Sequence, residues 1–392
     1  MKKKLILVFA VLMLLVTAMA GCGGGDTGDE DSGDAIVIGV NYELSGAVAS
    51  YGDDSVKGIE MAIDEINEAG GVLDQQIKLV IIDNKSDPAE SASVAAKLME
   101  QDNAVACLGP ATSGNYKATI PAAMANQTSI LSASATANDV TLDPNGNVLD
   151  YVFRICFTDD FQGVTMANFA TSNLDAKKAA IYKDTASDYA MGLAESFRDT
   201  FEGLGGEIVA EEGYVAKDTD FKAVLTGLKG SDFDVLFVPG YYEEAGLIIG
   251  QAREMGIDVP ILGADGFDSP TLLDLAGADA LSDVYFSNHY SSLDEDPLVQ
   301  QFIEDWGSAN NNENPSAFNA LGYDLGKFIV DAIDRAGSAE RADIRDAIAG
   351  TDEFVGVTGT FAIGPDHNPI KSVVVIEMQN GEQVSAEKVS VQ

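Results

Sequence analysis

The chain has 392 residues, with 63 acidic and 23 basic side chains and a formal net charge of −40. Because nucleic-acid binding needs clustered Lys and Arg against the phosphates, this balance weighs strongly against a nucleic-acid partner. The three cysteines and two histidines lack metal-ligand spacing, so we expect no metal and no other cofactor.

The N-terminus has the features of an export signal rather than of a folded element. Three lysines precede an apolar run over 5–20, which at 16 residues is short for a membrane span. Residues 18–22 end in a cysteine after small residues, an arrangement that resembles a lipobox. We therefore expect a lipoprotein signal peptide over 1–21 and lipidation of Cys22. The alternative is an ordinary signal peptide with an incidental cysteine.

Residues 22–34 are rich in Gly and Asp and contain almost nothing that a core would bury. Such a segment predicts a flexible, acidic tether. Together with a lipid on Cys22, it predicts an extracytoplasmic protein that is anchored to the cell membrane rather than spanning it.

Apolar runs alternate with helical patterns along the first part of the folded chain. The clearest helix start is Asp87, which can cap a helix that begins at Pro88 and carries Glu90 where a capping box needs an acid. The pattern predicts strands at 36–40, 79–82, 105–108, 129–131 and 151–154, and helices at 55–69, 88–101 and 115–126.

The same alternation restarts after residue 154. At the end of the chain, Asn380 and Gly381 between apolar runs are a strong hairpin signal, with strands at 372–378 and 384–391. Before that hairpin, the pattern predicts strands at 179–182, 208–214, 235–238 and 261–262, and helices at 191–204, 221–228 and 243–255.

Cys107 and Cys156 both lie in apolar, strand-like runs. We expect two buried thiols there, with a disulfide between them as the alternative.

Short apolar strands separated by helices predict parallel sheets that are buried on both faces. Two series of such units, in a folded part too long for one comfortable core, predict an α/β fold with two doubly wound lobes. Ligands of open parallel sheets bind beyond the carboxyl ends of the strands. We therefore treat the turns at those ends as one constellation: 41–52, 109–114, 132–136, 239–242 and 263–267.

Two of these turns carry opposite chemistry. In 109–114, small and hydroxyl residues open a helical pattern and leave backbone N–H groups that suit an anion. In 263–267, Asp265 follows an apolar run, where its carboxylate can meet a cation. One molecule that carries both charges is an amino acid, which is the ligand class that this pair of turns indicates.

At these turns the sequence resembles the substrate-binding proteins of branched-chain amino acid ABC transporters, the Leu/Ile/Val-binding family with the type I periplasmic fold. The likeness covers nearly all of 36–392, and it rests on the order and spacing of the landmarks rather than on any one of them. The landmarks are 44–46, 51–52, 67–71, 109–114, 132–136, 188–190, 240–243 and 263–266.

The resemblance implies two discontinuous lobes joined by a three-strand hinge, with chain crossings near Arg154, Asn288 and Gly364. The implied limits are 35–154 with 289–364 for lobe 1, and 155–288 with 365–392 for lobe 2.

The resemblance also assigns roles to hydroxyl and acidic residues. Ser113 matches the serine that, with neighbouring amides, holds the ligand α-carboxylate; the alternative is a plain helix N-cap. Thr136, with Ala133 and the less certain Ser134, matches the second carboxylate contact, although such hydroxyls also satisfy loop amides. Asp265 matches the acidic residue that pairs with the α-ammonium, where the family often has glutamate. The alternative there is a surface aspartate in a Gly-rich turn.

Aromatic residues complete the implied site. Tyr189 and Tyr241 match tyrosines that reach the ligand's main-chain atoms or close over it, and the sequence does not decide between Tyr241 and its neighbour Tyr242. Tyr51 matches an aromatic that lines the side-chain pocket. Weaker candidates, more readily explained as structural residues, are Ser45, Glu43, Phe267 and Tyr290.

The sequence contains no nucleophile elbow, phosphate-binding loop or dinucleotide fingerprint, and we find no catalytic constellation. We expect a monomeric, non-enzymatic solute-binding protein that captures a branched-chain or other apolar amino acid between hinged lobes and delivers it to an ABC permease. The alternatives are a ligand-sensing receptor component on the same fold, and an amide, urea-type or aromatic amino acid ligand.

Overall fold

The computed structural model describes residues 35–389. The predicted signal peptide, the lipidation site Cys22 and the tether lie outside the described residues. None of the described helices combines the length and the apolar character needed to cross a membrane.

The first part of the chain builds a parallel sheet with helices as connections. Its elements are β1 (Ile36–Tyr42), α1 (Ala49–Glu68), β2 (Ile77–Asp83), α2 (Pro88–Glu100), β3 (Ala106–Leu108), α3 (Ser113–Asn126), β4 (Ser129–Ser132) and β5 (Val152–Arg154). The strands are all parallel and lie in the order β2-β1-β3-β4-β5. Parallel neighbours need crossover connections, which the helices supply.

The chain then builds most of a second sheet. The elements are α4 (Asp159–Ser172), β6 (Lys178–Asp184), α5 (Asp188–Gly203), β7 (Glu207–Tyr214), α6 (Lys222–Lys229), β8 (Val235–Phe237), α7 (Tyr242–Glu254), β9 (Ile261–Gly263), α8 (Pro270–Ala276) and β10 (Val284–Asn288). The strands β10, β9, β8, β6 and β7 are parallel neighbours in that order.

After β10 the chain returns to the first sheet. A Cβ added at Gly58 of α1 would lie 2.1 Å from the carbonyl oxygen of Asn319, so the returning helix α10 packs in direct backbone contact along α1. The returning elements are α9 (Pro297–Ala309), α10 (Ala317–Ala336), α11 (Arg341–Ala349), β11 (Phe354–Gly356), β12 (Gly359–Ile363) and β13 (Pro369–Ile370).

The last two strands, β14 (Val373–Gln379) and β15 (Glu382–Val389), extend the second sheet as an antiparallel hairpin beside β10. We refer to the part built on the first sheet as lobe 1 and to the part built on the second sheet as lobe 2. Apolar cores fill the space between each sheet and its helices. The predicted fold class, two α/β lobes with mostly parallel sheets, is confirmed; the predicted residue limits of the lobes stay a prediction.

Several local predictions can be compared directly with the observed elements. The hairpin turn lies at Asn380 and Gly381, whose φ angles are +51° and +80°. Helix α4 was not predicted, because its buried face carries Gln162, Gly163 and Thr165 among its apolar residues and lacks a continuous apolar stripe. Its polar face is turned toward the cleft described below.

Cys107 and Cys156 are both free and buried, which confirms the expected thiols. Burial raises the pKa of each thiol to about 12, so neither is a reactive thiolate at neutral pH.

Candidate functional site

The carboxyl ends of strands from both sheets face each other across a small cavity of about 10 Å³. This is room for about one water molecule, so the residues that line the cavity from the two sheets nearly meet. The lining residues are Tyr51, Ala111, Thr112, Ser134, Tyr189, Tyr241, Asp265, Gly266 and Phe318.

A larger groove of about 890 Å³ lies elsewhere, between α7 and the turn at 277–280. It is an open surface depression with a mixed charged lining, and it shares no residue with the cavity at the strand ends. We therefore place the candidate site in the smaller, enclosed cavity.

Asp265 is 3% exposed and begins the turn that follows β9. Its Oδ1 accepts hydrogen bonds from Tyr189 Oη (2.7 Å) and Gln162 Nε2 (3.0 Å), and its Oδ2 lies 3.2 Å from His289 Nε2. Burial lowers the pKa of His289 to about 4, so the imidazole is neutral at physiological pH. The partners of Asp265 are therefore neutral, and its negative charge remains available to a cationic ligand group.

A second buried carboxylate, Asp159, was missed by the sequence analysis. It is the first residue of α4 and 0% exposed, and neither of its oxygens has a hydrogen-bond partner within residues 35–389. Burial chiefly, with a contribution from the charge of Asp265, raises the pKa of Asp159 well above its usual range. The only sequence signal was the capping pattern at Thr158, whose Oγ1 accepts from Phe161 N, and that pattern marks a helix start rather than a binding site.

Ser113 lies behind the wall of the cavity rather than on it. Its Oγ accepts a hydrogen bond from Ala137 N at 3.0 Å, while the preceding residue, Thr112, lines the cavity. Ser113 is also the first residue of α3, and the first bond of the α-helical pattern runs from Tyr116 N to Thr112 O. The N–H groups before Tyr116 are therefore not used by that pattern.

The turn after β4 contributes both a lining residue and buried neighbours. Ser134 lines the cavity, and its Oγ donates to Ala111 O at 3.0 Å. Thr136 and Ala133 are both 0% exposed and do not line the cavity. The Thr136 hydroxyl has no hydrogen-bond partner within the described part of the chain.

Glu43, one of the weaker sequence candidates, does not reach the cavity. Its carboxylate is 0% exposed and lies directly behind the lining residues Ala111 and Thr112. It accepts hydrogen bonds from Ala111 N (2.9 Å), Thr112 N (3.1 Å), Thr112 Oγ1 (2.8 Å) and Asn115 Nδ2 (2.8 Å).

Aromatic rings form the remaining wall. Tyr51 stacks on Phe318 with ring centroids 4.3 Å apart, and Tyr189 stacks on Tyr241 at 5.0 Å. Tyr241 lines the cavity, whereas Tyr242 packs edge-on against Tyr51 at 4.9 Å, so Tyr241 is the tyrosine that faces inward. Phe318, which lies near the start of α10, was missed because the sequence analysis named no site residue in the returning segment.

The two lobes touch directly around the cavity. The Tyr51 hydroxyl donates to the carbonyl oxygen of Gly266, and Ser50 Oγ lies 2.8 Å from Ser269 Oγ. At the rim, Lys117 of lobe 1 forms an ion pair with Asp188 of lobe 2 at 2.7 Å. The structure thus shows a closed cleft.

Residues 35–383 match the family model described as periplasmic binding protein. The chain is 43% identical to a Streptococcus pneumoniae substrate-binding protein of a branched-chain amino acid transporter, LivJ, solved with isoleucine. That structure has a TM-score of 0.86, and the match covers 91% of this chain and 100% of that one. The leucine-binding protein LivK of Thermotoga maritima is 32% identical, with a TM-score of 0.84 over 91% and 99% of the two chains. The Leu/Ile/Val-binding protein BraC3 of Rhizobium johnstonii is 32% identical over 79% of this chain and 81% of its own length.

Proposed function

The chain belongs to the periplasmic binding protein family, and we propose that it captures leucine, isoleucine or valine in its closed cleft and delivers the amino acid to an ABC permease. Amino-acid solute binding agrees with the family and with its similarity to Leu/Ile/Val-binding proteins. The single observation that carries the proposal within this chain is the buried carboxylate of Asp265 on the wall of this cavity, with a second buried carboxylate, Asp159, near enough for the charge of Asp265 to act on it.

The ammonium of the ligand is the natural partner of these two acids. A buried carboxylate without a cation or sufficient donors is costly, and within the described residues neither acid pairs with Lys or Arg. An α-ammonium offers three donors and a positive charge, which satisfy Asp159 and add to the hydrogen bonds of Asp265. We propose that Tyr189 orients Asp265 and that Tyr241 closes over the ligand backbone.

The α-carboxylate binds at the start of α3. The candidates there are the N–H groups of Ser113 and the following residue, and the unpaired hydroxyl of Thr136. Helix N-termini favour anions because their first N–H groups point outward along the helix dipole. Ser134 ties the turn that carries Thr136 to the segment before this helix, because its Oγ donates to Ala111 O.

The ligand side chain packs against aromatic rings. Tyr51, Phe318 and Tyr241 supply apolar ring surface, and the Tyr51 hydroxyl is turned to the carbonyl oxygen of Gly266. This aromatic wall favours an aliphatic ligand side chain.

The lobe limits also belong to the proposal: 35–154 with 289–364, and 155–288 with 365–392. In support, β5 ends at Arg154, β10 at Asn288 and β12 at Ile363, next to the three passages between the sheets. The buried guanidinium of Arg154 ties two passages together, because its Nε donates to Asn368 Oδ1 at 2.6 Å. Opening about these passages admits the ligand, and binding shifts the population toward the closed form.

The cellular context rests on the sequence alone. We propose a monomer without enzymatic activity, exported by the signal over 1–21 and held at the membrane by a lipid on Cys22. Metabolic labelling with a radioactive fatty acid tests the anchor, because Cys22→Ser removes the acceptor thiol and the expected label.

Calorimetric titration of the purified protein with the twenty amino acids tests the ligand class. We expect binding of leucine, isoleucine or valine, and a loss of about 1.5–3 kcal/mol, or roughly 10–150-fold in Kd, in Asp265→Asn because a charge-assisted contact is lost. The control is Asp258→Asn in the same lobe, where the side chain is exposed and no change is expected. The absence of heat with every amino acid would refute the proposal.

A further inference from the structure

Glu43 places a buried carboxylate behind the wall of lobe 1. It follows β1 directly, is fully buried, and uses its carboxylate oxygens to accept four hydrogen bonds from Ala111, Thr112 and Asn115. Within residues 35–389 it has no ion-pair partner. Its charge is therefore balanced only by neutral dipoles, including the N-terminus of α3.

This charge acts on the cavity because only one layer of residues separates the two. Ala111 and Thr112 donate to Glu43 and also line the cavity. The charge of Glu43 also acts on Tyr241, whose ring lines the cavity. Burial chiefly, and then the charges of Asp159, Asp265 and Glu43, raise the pKa of the Tyr241 hydroxyl well above the usual range. Three carboxylates on both sides of the cleft thus act on one ligand space.

We propose that Glu43 is a specificity-determining residue that excludes carboxylic acids lacking an ammonium group. It already takes both donors of Thr112, and its charge repels a second carboxylate that approaches the start of α3. In a zwitterion the same charge of Glu43 attracts the ammonium and so offsets this repulsion. A 2-oxo acid or a fatty acid with the same side chain has nothing to offset it. This inference rests on the proposed function and names the residue that rejects the amine-free analogues.

The test measures the affinities of leucine and 4-methylpentanoate, which share a side chain and a carboxylate and differ at the amine. In the wild type we expect strong preference for leucine. In Glu43→Gln, which keeps the shape and removes the charge, we expect the ratio of the two dissociation constants to fall by about tenfold or more. An unchanged ratio in the folded variant would overturn the inference, while failure of the wild type to bind any amino acid would refute the proposed function instead.

Asp324 provides a matched control. It is a buried acid of lobe 1 that likewise accepts from two backbone N–H groups and one threonine hydroxyl, those of Val357 and Thr358, at 2.6–2.8 Å. It does not line the cleft. We expect Asp324→Asn to lower the melting temperature and leave the ratio of the two dissociation constants unchanged. If the ratio fell as much as in Glu43→Gln, any buried acid of this lobe would have the same effect, and the inference would be overturned.

A measurement on the wild type alone keeps the inference testable if Glu43→Gln does not fold. Leucinamide keeps the ammonium and lacks the carboxylate, whereas 4-methylpentanoate is the reverse. We expect leucinamide to bind at least about tenfold more tightly than 4-methylpentanoate. Equal affinities, or tighter binding of the acid, would contradict a cleft that is dominated by negative charge.

Discussion

Replacing Asp159 by asparagine should stabilise the ligand-free protein and lower its affinity for the ligand. In the absence of a ligand, Asp159 is fully buried and its oxygens have no partners within the described residues. Leaving a polar group in that condition costs about 1–3 kcal/mol. Burial makes folded Asp159 hold a proton that the unfolded chain loses, and the neutral amide of Asp159→Asn removes this linked cost, so we expect the ligand-free melting temperature to rise by about 2–4 °C per kcal/mol gained.

The same substitution removes one of the two acids proposed to hold the ammonium. Hydrogen bonds to charged groups are worth about 1.5–3 kcal/mol, so leucine should bind about 10–150-fold more weakly. Differential scanning calorimetry and isothermal titration calorimetry measure the two effects on one sample. The control is Asp160→Asn at the neighbouring, exposed position, where we expect changes within about 0.5 kcal/mol.

The raised pKa of Asp159 also predicts how the two equilibria depend on pH. As the pH rises above 3.8, the unfolded chain loses this proton while the folded, empty protein keeps it, so the contribution of Asp159 to the free energy of unfolding falls with rising pH. An incoming ammonium favours the ionised form and releases the proton. Leucine affinity should therefore increase with pH, and Asp159→Asn should flatten that increase. A lower melting temperature together with an unchanged Kd in the variant would refute this reasoning.

Two further substitutions test the rim and the helix packing. Lys117→Met removes a partly exposed ion pair with Asp188, which is worth about 0.2–1 kcal/mol. The dissociation of leucine, measured by stopped flow, should therefore accelerate by no more than about fivefold, and the acceleration should vanish in 1 M salt. A larger or salt-independent acceleration would contradict this prediction. Gly58→Ala brings a methyl group against Asn319 O and should lower the free energy of unfolding in urea by about 1–3 kcal/mol. Gly227→Ala, at an exposed helix position with no neighbour within 4 Å, should raise that free energy by about 0.5–1 kcal/mol. Similar changes in both variants would contradict the packing argument.

Local signals in the sequence were sufficient for the strands up to β9, the terminal hairpin and several residues of the cleft, but not for β10 to β13. Tyr51, Ser134, Tyr189, Tyr241 and Asp265 were all named from the sequence and all line the cavity, although their roles toward a ligand stay predictions. They share one property: each lies at or near the carboxyl end of a strand or the start of the helix that follows, where a short segment of sequence identifies the position.

The residues that were missed or displaced depend on contacts between distant segments. Phe318 reaches the cavity only because the chain returns from lobe 2 to pack along α1, and no local pattern reports that return. Asp159 looks like an ordinary acid in the first turn of a helix. Thr112 lines the cavity and Ser113 does not, a difference of one residue at a helix start. The hydroxyl of Thr112 is held by Glu43, about 70 residues earlier in the chain, and no local pattern reports that contact.

The pairing of α1 with α10 bears on the order in which a nascent chain can collapse. Helix α1 packs on β1 and β2, but its side at Gly58 is covered by a helix that ends at Ala336, so this second contact becomes possible only when most of the polypeptide has been made. Contacts of such long sequence separation form late and slowly. Lobe 1 of a growing polypeptide therefore stays incompletely packed until synthesis is nearly complete.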